Sequence, residues 1–194
     1  MIGRPHNQGR TLKRFALLAL VALSITGCGG NNLGPEFGGS MEEQRAELMS
    51  RPSIEEASAR YLEMHTKIRD QLTTAYPWMR WEQTRELNRA GCSDFDAFTD
   101  VGESQTLGVW WANGNIPDAE WPRAQQIVAD VSREYGFAAP ETVVSRPSDH
   151  QVVGSDRFGG GYRFGTAKNT VINGNTGCHL PQAEKDKQAP PPAR

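Results

Sequence analysis

The apolar residues between positions 54 and 75 predict a long amphipathic helix. They recur at alternating steps of three and four, which places them on one helical face: Ile54, Ala57, Tyr61, Met64, Ile68, Leu72 and Ala75. Ser53 and Glu56 fit a capping box, in which the serine hydroxyl accepts a hydrogen bond from the Glu56 amide and the Glu56 carboxylate accepts one from the Ser53 amide. The sequence therefore predicts a helix that begins after Ser53 and ends near Pro77.

Two further helices are predicted on either side of the centre of the chain. A short one covers Met41 to Met49, and a longer one follows Pro117. The apolar face of the longer helix consists of Ala124, Ile127, Val128, Val131 and Tyr135, with Gly136 as its C-terminal stop. Because Pro122 is favourable in a first turn, Glu120 or Trp121 is the expected cap.

Six segments have the alternation and composition of β-strands: Trp78 to Arg85, Thr106 to Ala112, Glu141 to Arg146, His150 to Asp156, Gly161 to Ala167 and Asn169 to Asn173. In the second segment, Leu107, Val109 and Trp111 have the same parity, so we expect them to share the covered face of a sheet. The order of helices and strands predicts an α+β domain, with an antiparallel sheet and two main helices packed on one face.

Composition and charge divide the chain into a domain and two appendages. The 194 residues are 37% apolar with a mean hydropathy of −0.60, which is low for a fully folded chain. We expect a signal peptide over 1–27, a Gly/Asn-rich tether over 28–40, a domain over 41–182 and a disordered Pro-rich tail over 183–194. Residues 1–27 contain four basic and no acidic residues, which leaves 17 basic against 23 acidic residues in the remainder. An acidic remainder argues against nucleic acid as a partner.

The first 28 residues have the three parts of an export signal. A basic segment ends at Lys13-Arg14, an apolar run covers 15–23, and small residues precede Cys28. Ile25-Thr-Gly-Cys28 resembles the bacterial lipobox. This resemblance implies cleavage before Cys28 and a diacylglyceryl group on its thiol, and two or three acyl chains make such an attachment effectively permanent. We therefore expect a membrane anchor at Cys28 and a location on the extracytoplasmic face of the cell membrane.

Once Cys28 is lipidated, Cys92 and Cys178 are the two cysteines that remain. Export places them in an oxidising compartment, which favours a disulfide between them. That bond would tie the loop Asn88 to Cys92 to the segment Thr176 to Cys178. A metal or redox role is the alternative, although the sequence has no CxxC motif.

The chain resembles the LppA-like lipoproteins of mycobacteria. The resemblance depends on the order of several motifs: the lipobox, Arg51-Pro-Ser-Ile-Glu-Glu-Ala57, Ala90-Gly-Cys92, the Trp121 to Gly136 helix, Gly161-Tyr-Arg-Phe164 and Thr176-Gly-Cys178. It implies a cell-envelope lipoprotein without an established biochemical activity, and it supplies no catalytic residues.

No motif in the sequence predicts a catalytic residue, a metal site or a cofactor. GxSxG, SxxK and HExxH are all absent, and the acidic residues at 94, 96, 100 and 103 do not have EF-hand spacing. Gly159-Gly-Gly161 precedes a predicted strand and has no following GK[ST], so it predicts a hairpin turn and not a phosphate loop.

Five tryptophans are the remaining candidates for ligand binding. Neighbouring Trp110 and Trp111 must point to opposite faces of a strand, so at least one of them is exposed unless both faces of the sheet are covered. We select Trp78, Trp110 and Trp121 as candidate ligand-binding aromatics, since an exposed indole stacks well on a sugar or inserts among lipid headgroups.

These observations predict an acyl-anchored binding module whose partner is an envelope protein, a glycan or a lipid. Two alternatives stay open at this stage. One is a small envelope enzyme that acts on cell-wall glycan or lipid, and the other is a structural role in a membrane complex.

Overall fold

The computed structural model describes residues 39–188. The predicted signal peptide, the lipidation site Cys28, most of the tether and residues 189–194 of the predicted tail lie outside these residues. Gly39 and Ser40 end the predicted tether, and Ser40 caps the first helix through a second capping box with Glu43.

Four helices lie in the described part: α1 (Met41–Ser50), α2 (Ile54–Ala75), α3 (Trp121–Glu134) and α4 (Gln182–Gln188). The capping box of α2 is formed as predicted, because Ser53 accepts from the Glu56 amide and the Glu56 side chain accepts from the Ser53 amide. Glu120 is the cap residue of α3, with Pro122 in the first turn. The two main helices therefore begin where their local sequence signals place them.

Seven strands form one antiparallel sheet. They are β1 (Trp81–Arg85), β2 (Asn88–Gly91), β3 (Glu103–Asn113), β4 (Glu141–Arg146), β5 (Asp149–Ser155), β6 (Gly161–Thr166) and β7 (Asn169–Asn175). The order across the sheet is β1-β3-β7-β6-β5-β4, and β2 pairs with the other end of β3. The glycines 159–161 lie in the β5–β6 turn and at the start of β6, as predicted.

The main core lies between one face of this sheet and helices α2 and α3. Along β5, β6 and β7 every second residue is buried, including Val152, Phe164 and Ile172. These residues pack against the apolar faces of α2 and α3 in a single cluster. The α+β class, the antiparallel sheet and the packing of two helices on one face are confirmed.

The predicted face of β3 is wrong in its second half. Thr106 pairs with Asn175 and Val109 pairs with Asn173, so three steps on β3 match two on β7. This β-bulge is located at Gly108, which has a φ of +78°. One extra residue reverses the alternation, so Leu107 faces the helices while Val109 and Trp111 face the opposite side.

Three predicted boundaries also change. The segment Trp78 to Arg85 becomes a strand only from Trp81, because residues 76–80 form the turn that follows α2. Residues 88–91, predicted as a loop, form strand β2. The predicted tail from 183 is helical up to Gln188, and the Lys185 ammonium donates to the carbonyls of Met49 and Arg51, which holds α4 on the domain.

A second, smaller cluster connects α1 to the C-terminal segment. It contains Leu48, Phe95, Cys178 and Leu180. A disulfide joins Cys92 to Cys178, with their Cα atoms 5.8 Å apart. The domain therefore has one main core under the sheet and a satellite core closed by a covalent bond.

Candidate functional site

The sheet face opposite α2 and α3 is the candidate site, and we call it the open face. No helix among residues 39–188 packs on it, and its side chains are half-buried or exposed where those of the opposite face are buried. Cross-strand pairs place residues from six strands side by side on it. The open face is therefore assembled from positions far apart in the sequence.

Two neighbouring rows of side chains run across the open face from β1 to β4. The arginine row consists of Arg85, Val109, Asn173, Arg163, Val153 and Glu141. The tryptophan row consists of Glu82, Trp111, Val171, Gly165, Gln151 and Val144. Each row contains both apolar and polar or charged groups.

A groove of about 880 Å³ lies along the arginine row and extends to the β5–β6 turn. Besides residues of the arginine row, its walls contain Glu86, Asn88, Thr106, Ala138, Ser155, Asp156 and Asn175. Polar side chains thus surround a floor of sheet backbone and valines. This composition can supply many hydrogen bonds to a ligand with apolar patches.

Two glycines in the groove floor are required by the packing on the other face. A Cβ atom on Gly154 would lie 2.2 Å from the Tyr162 ring, and one on Gly174 would lie 3.0 Å from His65 Nε2. The helix-side core therefore occupies the space that side chains at these positions would need. As a result, the groove wall at both positions is bare backbone.

The polar groups of the arginine row are free for a ligand. Within residues 39–188, the side chains of Arg85, Arg163, Glu141 and Asn173 make no hydrogen bond or ion pair. Arg163 and Asn173 are cross-strand neighbours, and Val109 and Val153 lie between this pair and the outer residues Arg85 and Glu141. A ligand in the groove would therefore meet two guanidinium donors, one amide and one carboxylate that have no competing partner in this part of the chain.

The structure separates the three candidate tryptophans. Trp121 is 6% exposed and stacks between His150 and Phe164, at centroid distances of 5.2 and 5.3 Å, so it belongs to the core. Trp110 packs on the main core, and the Arg69 guanidinium covers its ring at 3.8 Å. Trp78 is 41% exposed. It follows the C-terminal end of α2, and its ring lies against Gly114.

Trp111, which the sequence did not single out, is the tryptophan on the open face. The bulge at Gly108 places it there together with Val109 and excludes Trp110. The sequence contains a signal for this bulge, because a glycine inside a strand often marks one. The candidate indoles of Trp110 and Trp121 pack on the main core, so neither lies on the open face.

Two buried titratable groups, His65 and Asp156, lie beside the groove. Burial, together with the nearby Arg69 charge, lowers the pKa of His65 to about 3. Burial raises the pKa of Asp156, although the amides of Phe158 and Gly160 donate to its carboxylate and oppose that shift. The Tyr61 hydroxyl also donates to Asp156. Asp156 thus stabilises the β5–β6 turn at the end of the groove.

The two other histidines among residues 39–188, His150 and His179, contact hydrogen-bonding groups of the fold. His150 Nε2 lies 3.0 Å from Asp118, and both ring nitrogens of His179 face backbone carbonyls. A smaller pocket of about 270 Å³ lies beside Arg60, Tyr135 and Arg157. Among residues 39–188 no group of three or more His, Cys, Asp or Glu side chains is arranged to hold a metal ion.

A family comparison covers most of this fold. Residues 30–182 match the model of the LppA family, described as a lipoprotein confined to pathogenic Mycobacterium. The chain belongs to the LppA family. The biochemical role of these lipoproteins is uncharacterised, and none of the curated proteins matches the chain significantly.

Two solved structures share the fold of this LppA-family chain. The lipoprotein LppA from Mycobacterium tuberculosis superposes with a TM-score of 0.64 at 18% identity, over 78% of this chain and 95% of that one. A DUF4853 family protein from Actinomyces odontolyticus superposes with a TM-score of 0.53 at 16% identity, over 68% of this chain and 71% of that one. At such identities the comparison shows the fold alone.

Proposed function

We propose that this LppA-family chain is acyl-anchored through Cys28 to the outer face of the cytoplasmic membrane, and that its domain is a binding module whose ligand occupies the open-face groove. The observation on which the binding role depends is the groove itself, a cleft of about 880 Å³ with polar and apolar walls on a sheet face that no described helix covers. Pre-formed clefts with a few converging polar groups are the usual sites of ligand binding.

The anchor is supported by the export signal and by the family. The chain has a basic segment, an apolar run and a lipobox-like Ile25-Thr-Gly-Cys28, and the family consists of lipoproteins. Among residues 39–188 no helix is long and apolar enough to cross a bilayer. Residues 28–40, fully extended, would reach at most ~45 Å, which leaves the domain free to meet a ligand near the membrane.

Replacing Cys28 by Ala tests the anchor. The variant should appear in the aqueous phase after detergent phase separation, whereas the wild-type chain should stay in the detergent phase, because acyl chains make the attachment effectively permanent. An Asn31→Ala variant in the tether is the matched control, since it keeps both Cys28 and the disulfide and should leave partitioning unchanged. A Cys28→Ala chain that stays in the detergent phase would refute the anchor.

The groove is tested by blocking it. The full chain in micelles is titrated with fractions of a mycobacterial envelope, and its amide NMR spectrum is followed. The separate fractions contain neutral glycans, anionic glycolipids, phospholipids and peptides. With one fraction, the amide signals of Val109, Arg163 and Asn173 should shift. A Val153→Trp substitution should abolish those shifts, because the indole would fill the groove. The matched control is Val143→Trp on the exposed edge strand, outside the groove. The proposed site would be refuted if the shifted amides lay only on another surface, or if no fraction shifted any amide.

A further inference from the structure

The arginine row and the tryptophan row together form a surface that is long enough for an extended ligand. Six strands at the usual spacing make each row ~24 Å long. Val109 and Trp111 are two positions apart on β3, which separates the two rows by roughly 7 Å. The open face therefore offers a long and shallow path, unlike an enclosed pocket for one small molecule.

The charges along this path include both signs. Arg85 and Arg163 line the groove together with Glu86 and Glu141. The fifth charged group, Asp156, accepts hydrogen bonds from Tyr61 and from two backbone amides of its own turn. With Glu82 of the tryptophan row, the open face has two guanidinium groups and four carboxylates, so it gives no net attraction for an anionic headgroup or phosphate and disfavours an anionic ligand.

The presence of polar and apolar groups side by side also limits the ligand class. Val109, Val153 and Val171 are half-buried and lie between the amides and charged groups of the two rows. A bilayer or an acyl chain would leave the unpartnered guanidinium and carboxylate groups desolvated without partners, which is costly. A sugar ring has an apolar C–H face and a rim of hydroxyls, and it can satisfy both kinds of group at once.

Trp111 provides a surface on which such a ring can stack. Its indole is half-buried on the open face, between Glu82 and Val171 in the tryptophan row. Its Nε1 atom is buried without a hydrogen-bond partner among the described residues. A large and rigid indole on a polar face contributes contact area at little cost in conformational entropy.

On these grounds we infer that the open face binds a neutral, linear oligosaccharide that lies across the strands. Trp111 stacks on one ring, and Arg85, Arg163, Asn173 and Glu141 hydrogen-bond the hydroxyls of the neighbouring rings. This inference rests on the proposed function, because it names the ligand class of the same groove.

Calorimetric titration of the full chain in micelles tests the ligand class. The probes are neutral linear hexasaccharides of glucose, mannose and arabinose, with an anionic oligogalacturonate of equal length for comparison. At least one neutral probe should bind, and its Kd should stay the same from ~0.05 M to ~0.5 M NaCl, because no net charge is involved. Binding of the anionic probe alone, weakened by salt, would overturn the inference.

Variants assign the binding to Trp111. Trp111→Ala should weaken the affinity for the neutral probe about fivefold or more, and Trp111→Phe should restore part of it. Trp78→Ala is the matched control, since Trp78 is exposed but lies away from the open face, and it should change nothing. A loss with Trp78→Ala instead of Trp111→Ala would contradict the inference.

The inference and the proposed function fail in different ways. If no neutral probe binds while a peptide, a phospholipid or a second copy of the chain shifts the groove amides, the sugar ligand is wrong and the binding groove stands. If no class of ligand shifts those amides, both are wrong.

Discussion

At the scale of single residues, the buried polar side chains show how strongly position determines chemistry. His65 follows Met64 of the predicted apolar face, and the structure places it fully buried on the side of α2 that faces the sheet. Neither of its ring nitrogens has a hydrogen-bond partner among residues 39–188. The helical periodicity indicated a position near the core boundary, but only packing against β7 made it a core residue.

His65 should therefore destabilise the fold in acid. Its pKa is about 3 in the folded chain, against an ordinary value of 6.5, so the unfolded chain binds a proton first as the pH falls. Above about pH 6.5, His65 is neutral in both the folded and the unfolded chain, so its titration costs no stability. As the pH falls from 6.5 toward 3, the free energy of unfolding decreases, because only the unfolded chain takes up the proton. Between about pH 7 and pH 4.5 the wild-type chain should lose about 2–3 kcal/mol more than a His65→Leu variant.

Urea unfolding of both chains at the two pH values measures this difference. The comparison cancels the other titrating groups, including Asp156, whose raised pKa works in the opposite direction. Equal losses in the two chains would show that His65 is protonated or exposed in the folded state.

At the scale of elements, local sequence signals predicted both main helices and most strands. They did not predict the bulge in β3. Capping residues and apolar periodicity act within a few residues, so they can be identified from the sequence. The face of a strand depends on its register with neighbours. On β3 that register changes at Gly108, where a positive φ lets one extra residue enter the strand.

Gly108→Ala should cost about 1–3 kcal/mol of unfolding free energy. The alanine would adopt a left-handed conformation, and its Cβ atom would lie 2.7 Å from the Arg85 carbonyl oxygen. Gly161→Ala is the matched control in the same sheet, because its nearest contact would be an ordinary 3.4 Å. Chemical denaturation of the two variants should separate them, and equal costs would mean that the bulge is not strained by a side chain.

At the scale of the whole molecule, one disulfide joins distant parts of a small domain. Cys92 follows β2 and Cys178 follows β7, with 86 residues of sequence separation between them. The bond closes the satellite core beside α1, where Arg51 donates to the carbonyls of Phe158 and Cys178. A covalent link of this span removes much of the conformational freedom of the unfolded chain.

Reduction should accordingly destabilise the domain. The chain-entropy model assigns ~4.6 kcal/mol to closing a loop of this size, and removal of native disulfides typically costs about 2–5 kcal/mol. Thermal unfolding with and without dithiothreitol should show a large fall in Tm for the wild-type chain. A Cys92→Ser, Cys178→Ser double variant should have the lower Tm with or without dithiothreitol. A wild-type Tm that does not change on addition of dithiothreitol would contradict the stabilising role of the disulfide.

The sequence by itself determined the elements of this protein and its membership of a lipoprotein family. Helix caps, periodicities of 3.6 and 2, and the order of motifs are local properties, and they were sufficient for the α+β class and the packing of two helices on one face. The tertiary structure alone decided that Trp111 and not Trp110 lies on the open face, and that Arg85, Asn173, Arg163 and Glu141 form one row. The physical reason is that strand register is set by hydrogen bonds between segments distant in the chain, and a single bulge reverses every side chain beyond it.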